Sequence, residues 1–139
     1  MHRMQTASAA HRRPRGFTLL ELMIAVAIVA IVAAIAYPSY QSHLISSRRA
    51  AAQSHLMDIA QNEQQYYLNA RSYAATVSAM NMTTPSEVSS YYTISIAATS
   101  GAPPTFTATA TPITGTSQAT DGALSINNSG VKTSSNNSW

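Results

Sequence analysis

From Leu22 to Tyr37 the chain carries no charged residue, and from Phe17 to Tyr37 its one charge is Glu21. Coiled as an α-helix, this run spans ~32 Å at about 1.5 Å per residue, enough to cross the hydrocarbon core of a bilayer. Pro38 follows it; a proline inside a helix removes one backbone donor and kinks the axis without necessarily ending it. Beyond it, apolar residues return at Tyr40, Leu44, Ala51 or Ala52, Leu56, Ile59 or Ala60, and Tyr66 or Tyr67. Steps of three, four and seven mark one helical face. Gln41, Arg48, Arg49, Gln53, Asp58 and Gln61 fill the gaps, and no glycine interrupts the chain between Gly16 and Gly101. The pattern predicts a helix of roughly fifty residues ending near Asn69, apolar all round in its first half and amphipathic in its second.

Residues 69–90 mix Asn, Ser, Thr and Met with Pro85 and keep no period, which reads as a connecting loop with room for a short helical turn. From Tyr91 the period becomes two. Tyr92, Ile94, Ile96 and Ala98 share one face; Phe106, Ala108 and Ala110 alternate with threonines until Pro112; Leu124 and Ile126 alternate again. Asn127-Asn128-Ser129-Gly130 is a good hairpin turn, and Val131 to Thr133 returns as a short last strand. The expected fold is α+β: a long N-terminal helix, its first half membrane-spanning, packed on a small antiparallel β-sheet of three to four strands.

Charge changes the picture at the N-terminus. The formal charge is +3, but four of the eight Lys and Arg residues, Arg3, Arg12, Arg13 and Arg15, lie in the first 16 positions. The rest of the chain sets Arg48, Arg49, Arg71 and Lys132 against Glu21, Asp58, Glu63, Glu87 and Asp121, close to neutrality. No basic patch for nucleic acid is evident in that balance, so a nucleic-acid partner is not expected. Arginines cluster on the cytoplasmic side of a membrane span, which orients the N-terminus inside and the remainder outside.

Candidate chemistry is sparse. There is no cysteine, hence no disulfide and no thiol nucleophile. His43 and His55 are twelve positions apart, about 120° around a helix, and do not converge on a metal; they read as exposed residues. There is no G-x-S-x-G elbow with a His and Asp partner. The Tyr66-Tyr67 and Tyr91-Tyr92 pairs read as helix–sheet packing, and Arg48-Arg49 as a solvated face or a contact to a neighbouring subunit. Sequons at Asn81, Asn127 and Asn136 are weak in so Asn- and Ser-rich a chain. No cofactor, metal or small-molecule substrate is expected, and the chain does not read as an enzyme.

The basic arm, Gly16 at the edge of the apolar run and Glu21 just inside it resemble a type IV prepilin with its N-terminal methylation motif. In that family the leader is cut between Gly and Phe, the new terminal Phe is N-methylated, and a glutamate five residues into the mature chain serves assembly. The resemblance assigns cleavage to Gly16 and Phe17, methylation to Phe17, assembly to Glu21 and a helix kink to Pro38. Family members often carry glycine in the apolar half of the helix, where it loosens in a filament; this chain has Ala27 and Ala30 there. YYTIS, TATATP, Asp121-Gly122 and the terminal Trp139 are similar to the PilE-like minor pilins. Those typically carry one cysteine beside the Asp-Gly position and another before the final Trp; here Gly122 follows Asp121 directly and Ser138 precedes Trp139.

The implied organisation is a leader over 1–16, a transmembrane and assembly half of the helix over 17–37, its amphipathic half over 38–68, an αβ-loop over 69–90, and the sheet with the C-terminal region over 91–139. The implied function is a structural subunit, a minor pilin that helps start or build a type IV pilus and so supports twitching motility. Its implied partners are other pilin subunits, major and minor, a prepilin peptidase, the pilus assembly platform and the inner membrane, before export to the extracellular fimbrium. A type II secretion pseudopilin, a major pilin and a DNA-uptake pilin share the N-terminal logic and remain alternatives.

Overall fold

A computed structural model of the chain describes residues 16–136 and 139. The arginines of the basic arm and Ser138 lie outside the described residues. One helix, α1, runs from Leu19 to Ala70 over 52 residues with Pro38 in its interior. The chain divides into two compact units at that proline, residues 1–38 and 39–139.

In the first unit, the apolar part of α1 is long and apolar enough to cross a membrane, and none of it is buried. Its residues, from Leu19 and Leu20 through Ile24, Val29 and Ile35 to Tyr37, all stand exposed. A surface of that kind is stable only against lipid or other protein.

The second unit has its own core. On α1 the buried positions are Arg49, Ala52, His55, Leu56, Ile59 and Glu63, a stripe at steps of three and four. After α1 come a 3₁₀ turn, Val77–Met80, and a short helix α2, Ser86–Ser89. Four strands follow: β1, Tyr92–Thr99; β2, Thr105–Pro112; β3, Leu124–Asn127; and β4, Lys132–Ser134. They form one antiparallel sheet in sequence order, as the alternating pattern predicts. β1 and β2 pair along their full length, from Tyr92 opposite Pro112 to Thr99 opposite Thr105.

That register places Tyr92 on the same face as Phe106, Ala108, Ala110, Leu124 and Ile126, and all join Ala52, Leu56 and Ile59 in the core. Ala108 and Ala110 are fully buried, as is Ala52 on the helix, and the larger Leu56, Ile59, Tyr92 and Phe106 fill the core around them. The opposite face carries Thr93, Ser95, Thr107, Thr109 and Thr111, with neither charge nor bulk. Gly130 closes the β3–β4 hairpin at φ +74°, and the Asn127 side chain accepts from the Ser129 and Val131 amides across the turn.

Four expectations need correction. Arg49 is no solvated residue: it is 9% exposed, and its guanidinium bonds the Asp121 carboxylate at 2.9 Å, the Asp121 carbonyl at 3.0 Å and the Ser134 hydroxyl at 2.8 Å. Arg48, beside it, lies over the Tyr91 ring at 3.8 Å and bonds Ser117. His55 is buried, within 3.3 Å of the Thr84 hydroxyl, rather than exposed. Tyr40 is 61% exposed and takes no part in the buried face. For Arg49 and His55, partners far along the chain, Asp121 and Thr84, admit a polar side chain to the buried stripe; Tyr40 lies before that stripe begins at Arg49.

The Asp121 carboxylate gathers a wider network. Tyr92 donates its hydroxyl proton to Asp121 Oδ2 at 2.6 Å and accepts from Gln118 Nε2 at 2.7 Å; Gln118 also donates to the Ile45 carbonyl at 3.1 Å. Burial first, and the bond to Asp121 second, hold the Tyr92 phenol well above its usual range, so it remains a donor. These contacts tie the strandless 113–123 segment to α1, β1 and β4. The chain's last turns close in the same region without a disulfide. Ser135 bonds both the amide and the carbonyl of Ala123, and Asn136 donates to the Thr120 carbonyl. Gly122, at φ +84°, lets them in, since a Cβ there would lie 2.8 Å from Ser135 Oγ.

At the far end of the buried stripe, Glu63 is fully buried; its Oε2 accepts from the Ala74 amide at 2.8 Å and its Oε1 has no partner among the described residues. This clips the loop to the helix beside Tyr73, which stacks on Tyr67 and meets Phe106 edge-on. Arg71 takes the left-handed conformation, φ 56°, where the loop leaves α1. Loss of water raises the Glu63 pKa, the Ala74 amide opposing; loss of water lowers that of His55, Asp58 opposing.

Two stability predictions follow from these charges. Asp121→Ala strands Arg49 in the interior and is expected to cost about 3–5 kcal/mol in urea unfolding, while the double change Arg49→Met, Asp121→Leu costs less than Asp121→Ala alone. Equal losses would show that the pair's charges are not what is at stake. For Glu63, the raised folded pKa means a contribution fully present below its unfolded value near 4.3 and lost as pH rises through the folded value. Glu63→Gln should therefore gain on the native chain, in unfolding free energy, between pH 4 and pH 8. His55 acts with the opposite sign, losing stability as pH falls below about 6.5, and is common to both proteins.

Candidate assembly site

Gly16, Phe17 and Thr18 precede α1 without regular structure, and Phe17 is 83% exposed. Thr18 is the N-cap: its hydroxyl accepts from the Glu21 amide at 3.2 Å, and its carbonyl from the Leu22 amide at 3.2 Å. Glu21 is then the third helical residue, and Thr18-x-x-Glu21 is the sequence of a capping box. Reading Glu21 only as a charge in an apolar run missed this. The signal was present in FTLLE: a threonine, a three-residue step to glutamate, then an apolar run.

The arrangement places an acidic side chain within the first turn, where the partial positive charge of the helix terminus favours it by about 0.3–1 kcal/mol. Phe17 and Glu21 are thus brought to one end of one helix, five positions in a single local motif. Pro38 lies seventeen positions further along, so the structure does not draw the four expected residues into one cluster. Pro38 lacks the amide that would bond the Ala34 carbonyl, and it is the last residue of the first unit. His43 and His55 take no part.

Two family models account for most of the chain. One, described as the prokaryotic N-terminal methylation motif, matches residues 11–37; the other, described as "Type IV minor pilin ComP, DNA uptake sequence receptor", matches residues 38–125. The chain belongs to the type IV minor pilin family. No curated protein matches it. Its two matched regions meet at Pro38, the division between the two structural units. The family is structural, and its members work with other pilus components. The exposed apolar helix next to a prepilin motif is the anchor of such a pilin.

The cap and the charge at Glu21 are separable in this pilin. Thr18→Ala removes the capping hydroxyl and is expected to cost the first turn about 0.5–2 kcal/mol, seen as faster amide exchange at Glu21 and Leu22 in detergent micelles. Glu21→Gln keeps that amide bond and removes only the charge. Exchange at these two amides should stay near the native rate in Glu21→Gln, and a rise matching that of Thr18→Ala would contradict the separation.

Proposed function

We propose that this protein is a minor pilin of the PilE-like kind that acts where a type IV pilus starts. A prepilin peptidase cuts between Gly16 and Phe17, Phe17 is N-methylated, and the chain waits in the inner membrane with the domain over 39–139 in the periplasm. Major and minor pilins and the assembly platform then take it up. The observation that supports this best is the uncovered apolar helix with Glu21 in its first turn. A carboxylate at the centre of a bilayer costs at least about 2.5–3.5 kcal/mol. The amine that cleavage creates on a neighbour's Phe17 offsets that cost only when subunits meet.

A second reading has a specific support of its own. The family model over 38–125 is described by a DNA uptake sequence receptor. The near-neutral count also overstates how acidic the surface is. Arg49 and Asp121 cancel inside the domain and Glu63 is buried, which leaves Arg48, Arg71 and Lys132 against Asp58 and Glu87 outside. That balance is too thin to neutralise many phosphates, so assembly remains the favoured role.

Deleting the gene is expected to reduce surface pili and twitching sharply while the major pilin pool in the membrane stays intact. Blocking retraction in the same strain should restore some fibres, because slow initiation is no longer undone. Normal piliation with loss of DNA uptake would favour the receptor reading, and normal piliation with loss of an exported protein would favour a secretion pseudopilin.

A further inference from the structure

Between the last two turns of α1 and the 3₁₀ turn Val77–Met80 lies an open cavity of about 240 Å³, with Met80 as its one side chain that also packs against the core. Asn62, Gln65, Tyr66 and Asn69 reach it from the helix, and Met80 and Asn81 from the turn. Its polar groups are four carboxamides and one phenol, and no charged side chain lines it. Each carboxamide carries both donors and an acceptor, so the set can serve hydroxyls acting either way.

Part of this set is held in advance. Asn62 Nδ2 donates to the Asp58 carbonyl at 2.9 Å, and Asn69 Nδ2 to the Gln65 carbonyl at 3.1 Å. Each amide is thereby pinned to its own helix, with its oxygen and second N–H left for a ligand, which lowers the ordering cost of binding. Asn81 sits in the left-handed conformation at φ 56°, its amide closing the turn on the Ser78 carbonyl at 3.0 Å. Tyr66 is half-buried and stacks on no other ring among the described residues. The cavity is smaller than a drug-sized site, which suits a single small ring.

We propose that this cavity binds a neutral hexose. The sugar hydroxyls take the carboxamides, and its C–H face packs on the Tyr66 ring. Phosphate or carboxylate ligands find no cation here. The site does not depend on the assembly role, since it lies wholly in the unit over 39–139.

The test uses the full chain in a detergent that contains no sugar, with saturation-transfer NMR on methyl glucoside, methyl galactoside, methyl mannoside, N-acetylglucosamine and glucuronate. Transfer to at least one neutral sugar is expected. It should fall about tenfold in Tyr66→Ala, the effect of about 1.4 kcal/mol. Asn69→Ala and Asn81→Gly, the latter tolerant of the turn's positive φ, should each weaken it, and Thr107→Ala on the outward sheet face should not. The two asparagine variants keep the test decisive if Tyr66→Ala fails to fold. An oligosaccharide ending in the preferred hexose separates the sources: transfer to its terminal ring points to a surface glycan, and transfer to the monosaccharide alone points to free sugar. No transfer to any neutral sugar, stronger transfer to glucuronate, or transfer unchanged in both asparagine variants overturns the proposal.

Discussion

The folded unit depends on one buried charge finding its partner. Arg49 enters the interior at one end of the helical stripe, and a guanidinium there is tolerable only with a carboxylate at bonding distance. Asp121, 72 positions away, supplies it. Because Asp121 belongs to a segment with no strand or helix, the pair fixes what the backbone ladder does not. Tyr92 and Gln118 then complete the carboxylate's surroundings and bring β1 and the Ile45 carbonyl into the same network. A one-residue slip of β1 against β2 would point Thr93 where Tyr92 now lies, so the network also selects the register.

The two halves of α1 solve opposite problems. After Pro38 the helix spends its apolar positions on its own sheet, with Ala52, Leu56 and Ile59 fully buried. Before Pro38 it buries nothing. A water-soluble state of that first half would expose an apolar surface all round, so the half is stable only where lipid or other pilins surround it. The chain thus carries one part that folds by its own contacts and one whose environment comes from elsewhere, and the family models divide it within one residue of the same place.

Periodicity made most of this legible. The helix, the four strands and the apolar faces follow from steps of 3.6 and 2 along the chain, and Gly16, Phe17 and Glu21 stood out against an uncharged run. Arg49, His55 and Glu63 were not legible as buried residues, because what admits each is a group from another part of the chain: Asp121, Thr84 and Ala74. Local pattern places a polar residue on a helical face and says nothing about a partner so far away. The end of α1 fell near the expected Asn69 without any glycine. Arg71 pays the left-handed cost there while the Glu63–Ala74 bond and the Tyr73 stack hold the returning loop. The cap at Thr18 is legible as well, in a threonine three positions before a glutamate at the head of an apolar run.

The cap also bears on how the proposed cleavage drives assembly. Removal of residues 1–16 would leave a cationic amine on Phe17, immediately before the N-cap Thr18. That amine sits at the positive end of the helix dipole, where a like charge is disfavoured. The helix's own Glu21 lies in the first turn with its amide committed to Thr18 and its carboxylate not so committed. Within one chain this carboxylate answers the dipole and the amine together, and one anion cannot satisfy both fully. In a bundle of such helices, each amine can reach a neighbour's carboxylate while that carboxylate remains near its own helix terminus. On the proposed reading, cleavage would then do more than remove a basic arm: it would create an end whose charge is better balanced between subunits than within one.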